Sequence, residues 1–494
     1  MTRAWPNGGV FSTISTIADR AGKALVDGAG TAAEKAAEYW TSKSARIGVT
    51  GLARSGKTVF LTSLIHNLTL APKRQKELLP FFVPAQQQRI RDVRIVGDET
   101  QDAFPYKRLL QDLLGEPPKW PSRTLSESRF CLDIEYAVQR SLASRFTDAA
   151  TVRLELGDYP GEWLLDLPLL GSSFAEWSNA TLVLCADEPR RRLSRSWWQR
   201  REWLESQANG PMNEADAARA AREYAAFLRA ARRPPHSLTF LQPGRFLTAD
   251  DRLSDPALHF CQLDPAKRPK KAWKGSVYPV MEERFDAYKK RLTEQFFRRH
   301  FWKYRRQIVL VDVLSALDGG PAVYADAAHA LSAIMDALDS RRTGPLSRFF
   351  GLSPLERVLV VATKADHVPH SEYENLRAQL RLMAARENDA LLSDGTEVSF
   401  DYLAAIKATE NATKRMDGAL LNVVTGVPLG EKKRQAIFTG HIPAHRPAPK
   451  DWHNGAIKIR HFEPPGLASA AAEGMPGIRL DKALQFLVGD MFAP

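Results

Sequence analysis

The run Gly51-Leu52-Ala53-Arg54-Ser55-Gly56-Lys57-Thr58 fits the pattern G-x-x-x-x-G-K-[ST], in which each residue type has a task. Glycine tolerates positive φ and lets the backbone approach a ligand closely, so successive N–H groups and the start of the following helix can cradle phosphate oxygens. Gly51, Ala53, Arg54, Ser55 and Gly56 would form that cradle. Lys57 would reach the β- and γ-phosphates, and the Thr58 hydroxyl is a ligand for Mg²⁺, which prefers octahedral oxygen sets shared with a nucleotide. An ordinary Gly-rich loop is the plain alternative. The flanks argue against it: a short strand, IGVTG, precedes the loop, and a helix with Leu61, Leu64, Ile65 and Leu68 on one face follows it.

Two further groups extend this chemistry. Strand ATVRLEL ends in Gly157-Asp158-Tyr159-Pro160-Gly161-Glu162, where Asp158 would hold Mg²⁺ through water and Gly161 would offer its N–H to the γ-phosphate. Asp312, in QIVLVDVL, is a rival for the metal but lacks a glycine three residues on. Thr363-Lys364-Ala365-Asp366 follows the strand VLVVA. A carboxylate there accepts the adjacent N1–H and N2–H₂ donors of guanine, a pair that adenine lacks, so Asp366 argues for GTP over ATP. Lys364 would lay its stem along the base. Lys407-Ala408-Thr409 follows VSFDYLAAI, where the Ala408 N–H would meet guanine O6, with an alignment shifted toward Ala405 left open. Thr124, in Trp120-Pro121-Ser122-Arg123-Thr124, is the candidate switch-loop hydroxyl for Mg²⁺, although a turn-forming threonine is the commoner explanation.

These residues must be held by a scaffold. The chain has 494 residues, long enough for several domains and a large core, which excludes a small disulfide-stapled protein. Cys131, Cys185 and Cys261 lie far apart without metal-ligand spacing, as suits a reducing cytoplasm, and the isolated histidines, among them His66, His300 and His367, show none either. No stretch approaches the roughly 20 apolar residues of a membrane-spanning helix, and the start lacks a secretory signal. Strands alternate with helices, predicting a largely parallel sheet covered on both faces. The expected boundaries are an N-terminal helical arm at 1–45, the first part of the nucleotide domain at 46–188, an inserted basic, Trp-rich helical domain at 189–306, the second part at 307–415, and short strands with a final helix at 416–494. ATLVLCA is expected as a further buried strand, and Ser371 with Glu374 as a helix-opening capping box.

Taken together, GLARSGKT, DYPGEW and TKAD, with WPSRT between the first two and a helical insertion before QIVLVDVL, resemble the YcjX-like family of bacterial P-loop proteins. The resemblance implies a P-loop NTPase fold, a GTPase-like α/β domain with an added helical domain, in a stress-associated nucleotide-binding protein. It also implies Lys57, Thr58, Asp158, Gly161, Thr363 and Asp366 as nucleotide-site residues, with Lys57, Gly161 and Glu162 at the reacting phosphate. Three features depart from GTPases at large. A hundred residues separate Thr58 from Asp158, Thr363 stands where an Asn is usual, and Glu162 stands where many carry a water-orienting Gln. A Glu can orient water but repels the γ-phosphate, so hydrolysis is expected to be slow.

The net charge of +12 favours anionic partners. PRRRLSRSWWQRREW and KRPKKAWK interleave cations with aromatics, a composition suited to an anionic membrane surface or a protein partner. It equally suits a helix that packs its Trp inward and keeps its Arg in water, the preferred reading. No nucleic-acid motif accompanies it. Three functions follow: a Mg²⁺-dependent GTP/GDP switch with slow hydrolysis, cytoplasmic or peripheral at the inner membrane; an ATPase of the same fold; or a nucleotide-stabilised adaptor at a membrane surface.

Overall fold

The computed structural model describes residues 42–493 apart from 53, 98–102, 122–126, 139–147, 248–254, 298–300, 344–354, 386–394, 417, 456 and 468. The expected helical arm at 1–45 and His300 therefore lie outside the described residues, except for the arm's last four positions. Those four belong to a strand, β1 (Ser42–Gly51), which starts earlier than the expected Arg46. Ala45, Ile47 and Val49 are buried along it, a period of two that extends the strand upstream of the glycine loop.

Six more strands complete the main sheet: β2 (Ile90–Val96), β3 (Ser128–Ala137), β4 (Ala149–Asp158), β5 (Arg306–Val311), β6 (Arg357–Ala362) and β7 (Glu397–Tyr402). Their spatial order is β2-β3-β4-β1-β5-β6-β7. The β2-β3 and β3-β4 pairs are antiparallel, and β4-β1, β1-β5, β5-β6 and β6-β7 are parallel. Every residue of β5 is buried, as a central parallel strand covered on both faces requires, whereas β3 alternates buried and half-buried positions. This is the expected mostly parallel α/β sheet of a P-loop GTPase-like fold.

Helix α1 (Lys57–Leu78) covers one face with Leu61, Leu64, Ile65 and Leu68. Residues between β4 and β5 are largely helical: α2 (Phe174–Leu184), α3 (Arg195–Ser206), α4 (Glu214–Arg232) and α5 (Val277–Leu292). Their apolar core is continuous with the second face of the sheet, since Trp197, Tyr224, Phe285 and Tyr288 belong to the same buried cluster as Val309, Val311, Val358 and Val360. Helices α6 (Pro321–Thr343) and α7 (Tyr373–Ala384) share that cluster through Leu331, Ile334, Leu376 and Leu380.

ATLVLCA is not a strand but the second half of α2. Phe174, Trp177, Ser178 and Thr181 are buried at helical spacing, Val183 faces solvent, and Ser173 with Glu176 forms a capping box that starts the helix. QIVLV alone thus takes the sheet position beside β1. The expected box at Ser371 and Glu374 does not form, because α7 starts after a short 3₁₀ turn capped by Glu372 without a side-chain bond. Beyond β7, strands β8 (Glu410–Met416), β9 (Ala419–Gly426) and β10 (Gln435–Ile437) make a small antiparallel sheet, beginning before the expected position 416. Among the described residues no helix is long and apolar enough to cross a membrane.

The last helix, α8 (Leu480–Val488), returns to the first face of the main sheet. Arg306, buried at the start of β5, holds it there. Its guanidinium donates to Leu487 O at 2.7 Å, to both oxygens of Asp490 at 2.6 and 2.7 Å, and to Glu356 at 2.8 Å. Asp490 and Glu356 are 39% and 33% exposed, so loss of the guanidinium returns them to water and costs chiefly its own buried hydrogen bonds. Arg306→Ala should therefore lower the unfolding free energy by about 1.5 kcal/mol in a urea titration. A loss below about 0.5 kcal/mol, the ordinary surface range, would mean that α8 is held by apolar contacts alone.

Candidate functional site

The sheet delivers its loops to one end. β1 and β4 are parallel neighbours with Val49 level with Asp158, so the chain leaving β1 at Gly51 and the chain leaving β4 at Asp158 emerge side by side. A Cβ on Gly161 would lie 2.0 Å from Gly51 O, and a Cβ on Gly51 would lie 2.3 Å from Ser55 Oγ. Only glycine permits this approach. Gly56 precedes α1 with φ of 78°, the left-handed conformation that turns the loop into the helix.

Lys57 leaves the first turn of α1 and returns beneath the loop. Its ammonium lies 2.7 Å from Asp158 Oδ1 and donates to Tyr159 O. Asp158 is buried, and among the described residues neither of its carboxylate oxygens has a hydrogen-bond partner of ordinary geometry. A buried carboxylate held only by an ion pair has acceptor capacity to spare for a hydrated cation. Among the described residues no group of three or more His, Cys, Asp or Glu converges on a point. A cation here would take most of its ligands from phosphate and water, the habit of Mg²⁺.

Gly51, Arg54, Ser55, Gly56, Lys57, Thr58, Gly161 and Glu162 line one cavity of about 560 Å³. Ala53 and Thr124 lie outside the described residues, although Pro121, just upstream of Thr124, is part of this lining. Arg229, Arg232 and Arg233, from the end of α4, form the facing wall. Glu162 does not stand open to water: its carboxylate is in an ion pair with Arg232.

A second cavity of about 390 Å³ adjoins the first and shares Arg54, Ser55, Gly56 and Val59 with it. Thr363, Lys364 and Asp366 line it. Asp366 Oδ2 accepts the Ala408 N–H at 2.8 Å, so that N–H is taken by the carboxylate and is not open to a base. Ala405 and Ile406, not Ala408, are part of the cavity lining, as the shifted alignment would have it. Burial pushes the Asp366 carboxyl up to about 7 against the pull of that N–H. Thr363 donates its hydroxyl to Val311 O at 3.3 Å instead of facing the cavity with an amide. The Lys364 ammonium is paired with Asp312, which is thereby a partner of Lys364. Burial would raise the Asp312 carboxyl, but Lys364 and His461 hold it down at about 2. His367 is buried, which pushes its imidazole down to about 3.

Several lining residues carry no motif. Trp120 and Phe462 close the second cavity together, the indole donating to Phe462 O at 2.8 Å, and Leu429 and His461 join them from the C-terminal tail. The arginines of α4 did have a signal, R-x-x-R-R before Pro-Pro, at spacings that share one helix face. The Trp-rich runs instead split: Trp197 is fully buried against Tyr224 and Phe227, whereas Trp203 and Trp273 are 42% and 51% exposed.

Residues 45–492 match the family model described as YcjX-like family, DUF463. A protein of Escherichia coli K12 named "Ras-like GTPase YcjX" is 32% identical over 456 residues, covering 90% of this chain and 95% of that one. One of the same name from Shewanella oneidensis is 31% identical over 467 residues, covering 90% and 94%.

The close approach of the two loops is testable without a ligand. Gly161→Ala forces a Cβ onto the Gly51 carbonyl and should cost about 2 kcal/mol or more of stability, the overpacking range. Gly171→Ala, where an added Cβ meets nothing within 4 Å, should stay within about 0.5 kcal/mol by the same denaturant titration. Equal effects would mean that the two loops are not packed as described.

Proposed function

The chain belongs to the YcjX-like family, and from that premise we propose that it is a Mg²⁺-dependent guanine-nucleotide-binding protein that hydrolyses GTP slowly to GDP and phosphate. The observation that carries the base assignment is the buried Asp366 carboxylate in the lining of a cavity that shares Arg54, Ser55 and Gly56 with the glycine-loop cavity. Guanine presents two adjacent donors and one acceptor along one edge. A carboxylate is the complement of the two donors, and adenine would leave it unmatched. The names of both relatives support the same reading.

In this assignment the backbone from Gly51 to Gly56 and the N-terminus of α1 hold the phosphates. Lys57 exchanges Asp158 and Tyr159 O for phosphoryl oxygens. Thr58 and Asp158 would hold Mg²⁺, which when bound offsets charge on the β- and γ-phosphates. Gly161 lets the chain after β4 lie against the terminal phosphate. Glu162, the residue next to that point, carries a negative charge that repels the γ-phosphate, which supports slow turnover. The stress-associated switch role is the one the family resemblance implies, and the exposed Trp203 and Trp273 leave an anionic surface or a protein as candidate partners of the helical segment.

The base assignment is tested by competing GDP against ADP between pH 6 and pH 8, where the phosphate titration common to both ligands cancels. GDP should win by at least tenfold, about 1.4 kcal/mol, at pH 8. The preference should shrink toward pH 6, because below about 7 Asp366 takes up a proton and loses one acceptor. The sign for stability is opposite: a carboxyl raised above its unfolded value contributes stability at low pH that is lost as the pH rises through about 7. Asp366→Ala should erase both the preference and its pH dependence. Equal binding of ADP by the wild type, with Asp366→Ala indifferent, would move the assignment to an ATPase.

A further inference from the structure

The facing wall of the phosphate cavity belongs to the helical segment, not to the sheet. Arg229, Arg232 and Arg233 occupy the last turn of α4 and its cap, three and four residues apart, so their side chains leave from one face. Together with Lys57 and Arg54 they put five cationic side chains around a cavity to which, among the described lining residues, Glu162 brings a carboxylate. Arg232 and Glu162 are paired there with side chains only 14% and 10% exposed.

This turn of α4 is held in place by ties that do not involve the arginines. Asp166, fully buried after Glu162, accepts the Gly244 N–H at 2.9 Å and the Tyr288 hydroxyl at 2.6 Å. A Cβ on Gly244 would lie 2.4 Å from Glu162 O, so that glycine is what allows the two segments to touch. Arg245 lies over the Trp163 ring at 5.3 Å, and the Tyr224 hydroxyl of α4 donates to Gln242 O at 2.6 Å. From the loop side, Arg54 donates to Ser237 Oγ at 3.3 Å. The end of α4 is thus registered on the segment that follows β4.

We propose that α4 supplies a built-in arginine for phosphoryl transfer, with Arg232 as the catalytic residue and its pair with Glu162 as the element a triphosphate switches. The proposal rests on the assignment of this cleft to a nucleoside triphosphate. A diphosphate leaves the Arg232–Glu162 pair intact. A γ-phosphoryl group brings more negative charge than one carboxylate, so the guanidinium fork turns to it and Glu162 is released to accept a hydrogen bond from water. The water oxygen then bonds to the γ-phosphorus as the bond to the β,γ-bridging oxygen breaks, its electron pair leaving on the diphosphate. The water proton passes to Glu162 and on to the departing phosphate. Arg232 contributes charge and no atoms.

The test uses the full chain in single-turnover hydrolysis of GTP and, in parallel, of ATP, so that a wrong base leaves the arginine comparison readable. Binding of GDP and of a non-hydrolysable GTP analogue is measured on the same preparations, with the matching adenine pair beside them. Arg232→Ala should slow hydrolysis at least a hundredfold, within the reach of an arginine supplied in cis or trans. It should leave diphosphate affinity within threefold and weaken the triphosphate analogue at least tenfold. Arg232→Lys should fall between, because it keeps the charge and loses the fork. Arg232→Ala also strands a buried Glu162, so the double variant Arg232→Ala/Glu162→Gln, checked by circular dichroism, removes that liability. The double variant should show the same loss of preference for the triphosphate analogue over the diphosphate. Hydrolysis within threefold of wild type in Arg232→Ala, or an unchanged analogue-to-diphosphate affinity ratio in both variants, would overturn the arginine. A wild type that binds neither nucleotide, or hydrolyses neither triphosphate, overturns the hydrolase reading and the arginine with it.

Discussion

The approach of Gly161 to Gly51 sets the geometry on which the remaining parts of the site depend. Because β1 and β4 are parallel neighbours, the glycine loop and the D-x-x-G turn leave the sheet at the same end, and Val49 pairs level with Asp158. That register places Asp158 where Lys57 can return to it from α1 at 2.7 Å. Side chains alternate along a strand, so a slip of one residue would send Asp158 to the opposite face and leave Lys57 without its carboxylate. The missing side chain at 161 is what lets the two loops close on each other. Tyr159 fixes the same exit from below: its hydroxyl donates to buried Gln307 at 2.6 Å, and Gln307 lies so close to Gly48 that a Cβ there would be 2.3 Å from its Oε1. Three adjacent strands are locked at the point where the chemistry would occur.

The helical segment between β4 and β5 is part of the same construction. Its aromatic core runs without a break into the valines of β5 and β6, and Asp326 of α6 accepts bonds from Arg190 and from the Thr239 and Phe240 N–H groups. Asp166 is the most confined of these ties, its carboxyl pushed up to about 7 by burial while Tyr288 and Gly244 donate to it. Burying such a group is costly unless its acceptors are used, so its three bonds act as a unit and hold Glu162 and Gly244 in contact. A helix joined to the sheet in this way can present arginines to the cleft with the positional precision of the sheet itself.

Much of this was legible in the sequence because the phosphate loop, its flanking strand and the first face of α1 agree at every level: spacing, turn residues and apolar period. The same alternation marked β5, β6 and β7 as strands but left their places in the sheet open. The signal misled at ATLVLCA, where an apolar run masked a helical set at 174, 177, 178 and 181 whose capping box, Ser173 with Glu176, lies upstream of the run. It also gave no view of Trp120, Leu429, His461 and Phe462, which meet at the base end of the cleft from regions over three hundred residues apart in the chain. Such convergence leaves no local period. The α4 arginines fall between these cases, since their shared face could be read from spacing but their target is set by Gly244 and Asp166, residues whose meeting only tertiary structure reveals.

The two ends of the cleft differ in electrostatic character, and the difference orients an occupant. At the phosphate end Arg54, Lys57, Arg229, Arg232 and Arg233 outweigh Asp158 and Glu162, so the field favours a polyanion. At the base end Lys364 is cancelled by Asp312, whose carboxyl is held at about 2. His367 is kept neutral by burial, and Asp366 sits near the boundary between its charged and neutral forms. A phosphate chain entering the base end would meet Lys364 already paired with Asp312, while a neutral purine at the phosphate end would leave the arginines facing one another. Pairing Lys364 with Asp312 also pins the lysine at its tip, which keeps its alkyl stem extended along the cavity wall as a flat apolar surface for a ring. The ion pair that joins Asp312 to Lys364 therefore places Asp312 beside the second cavity, whereas Asp158 stands with Lys57 beside the first.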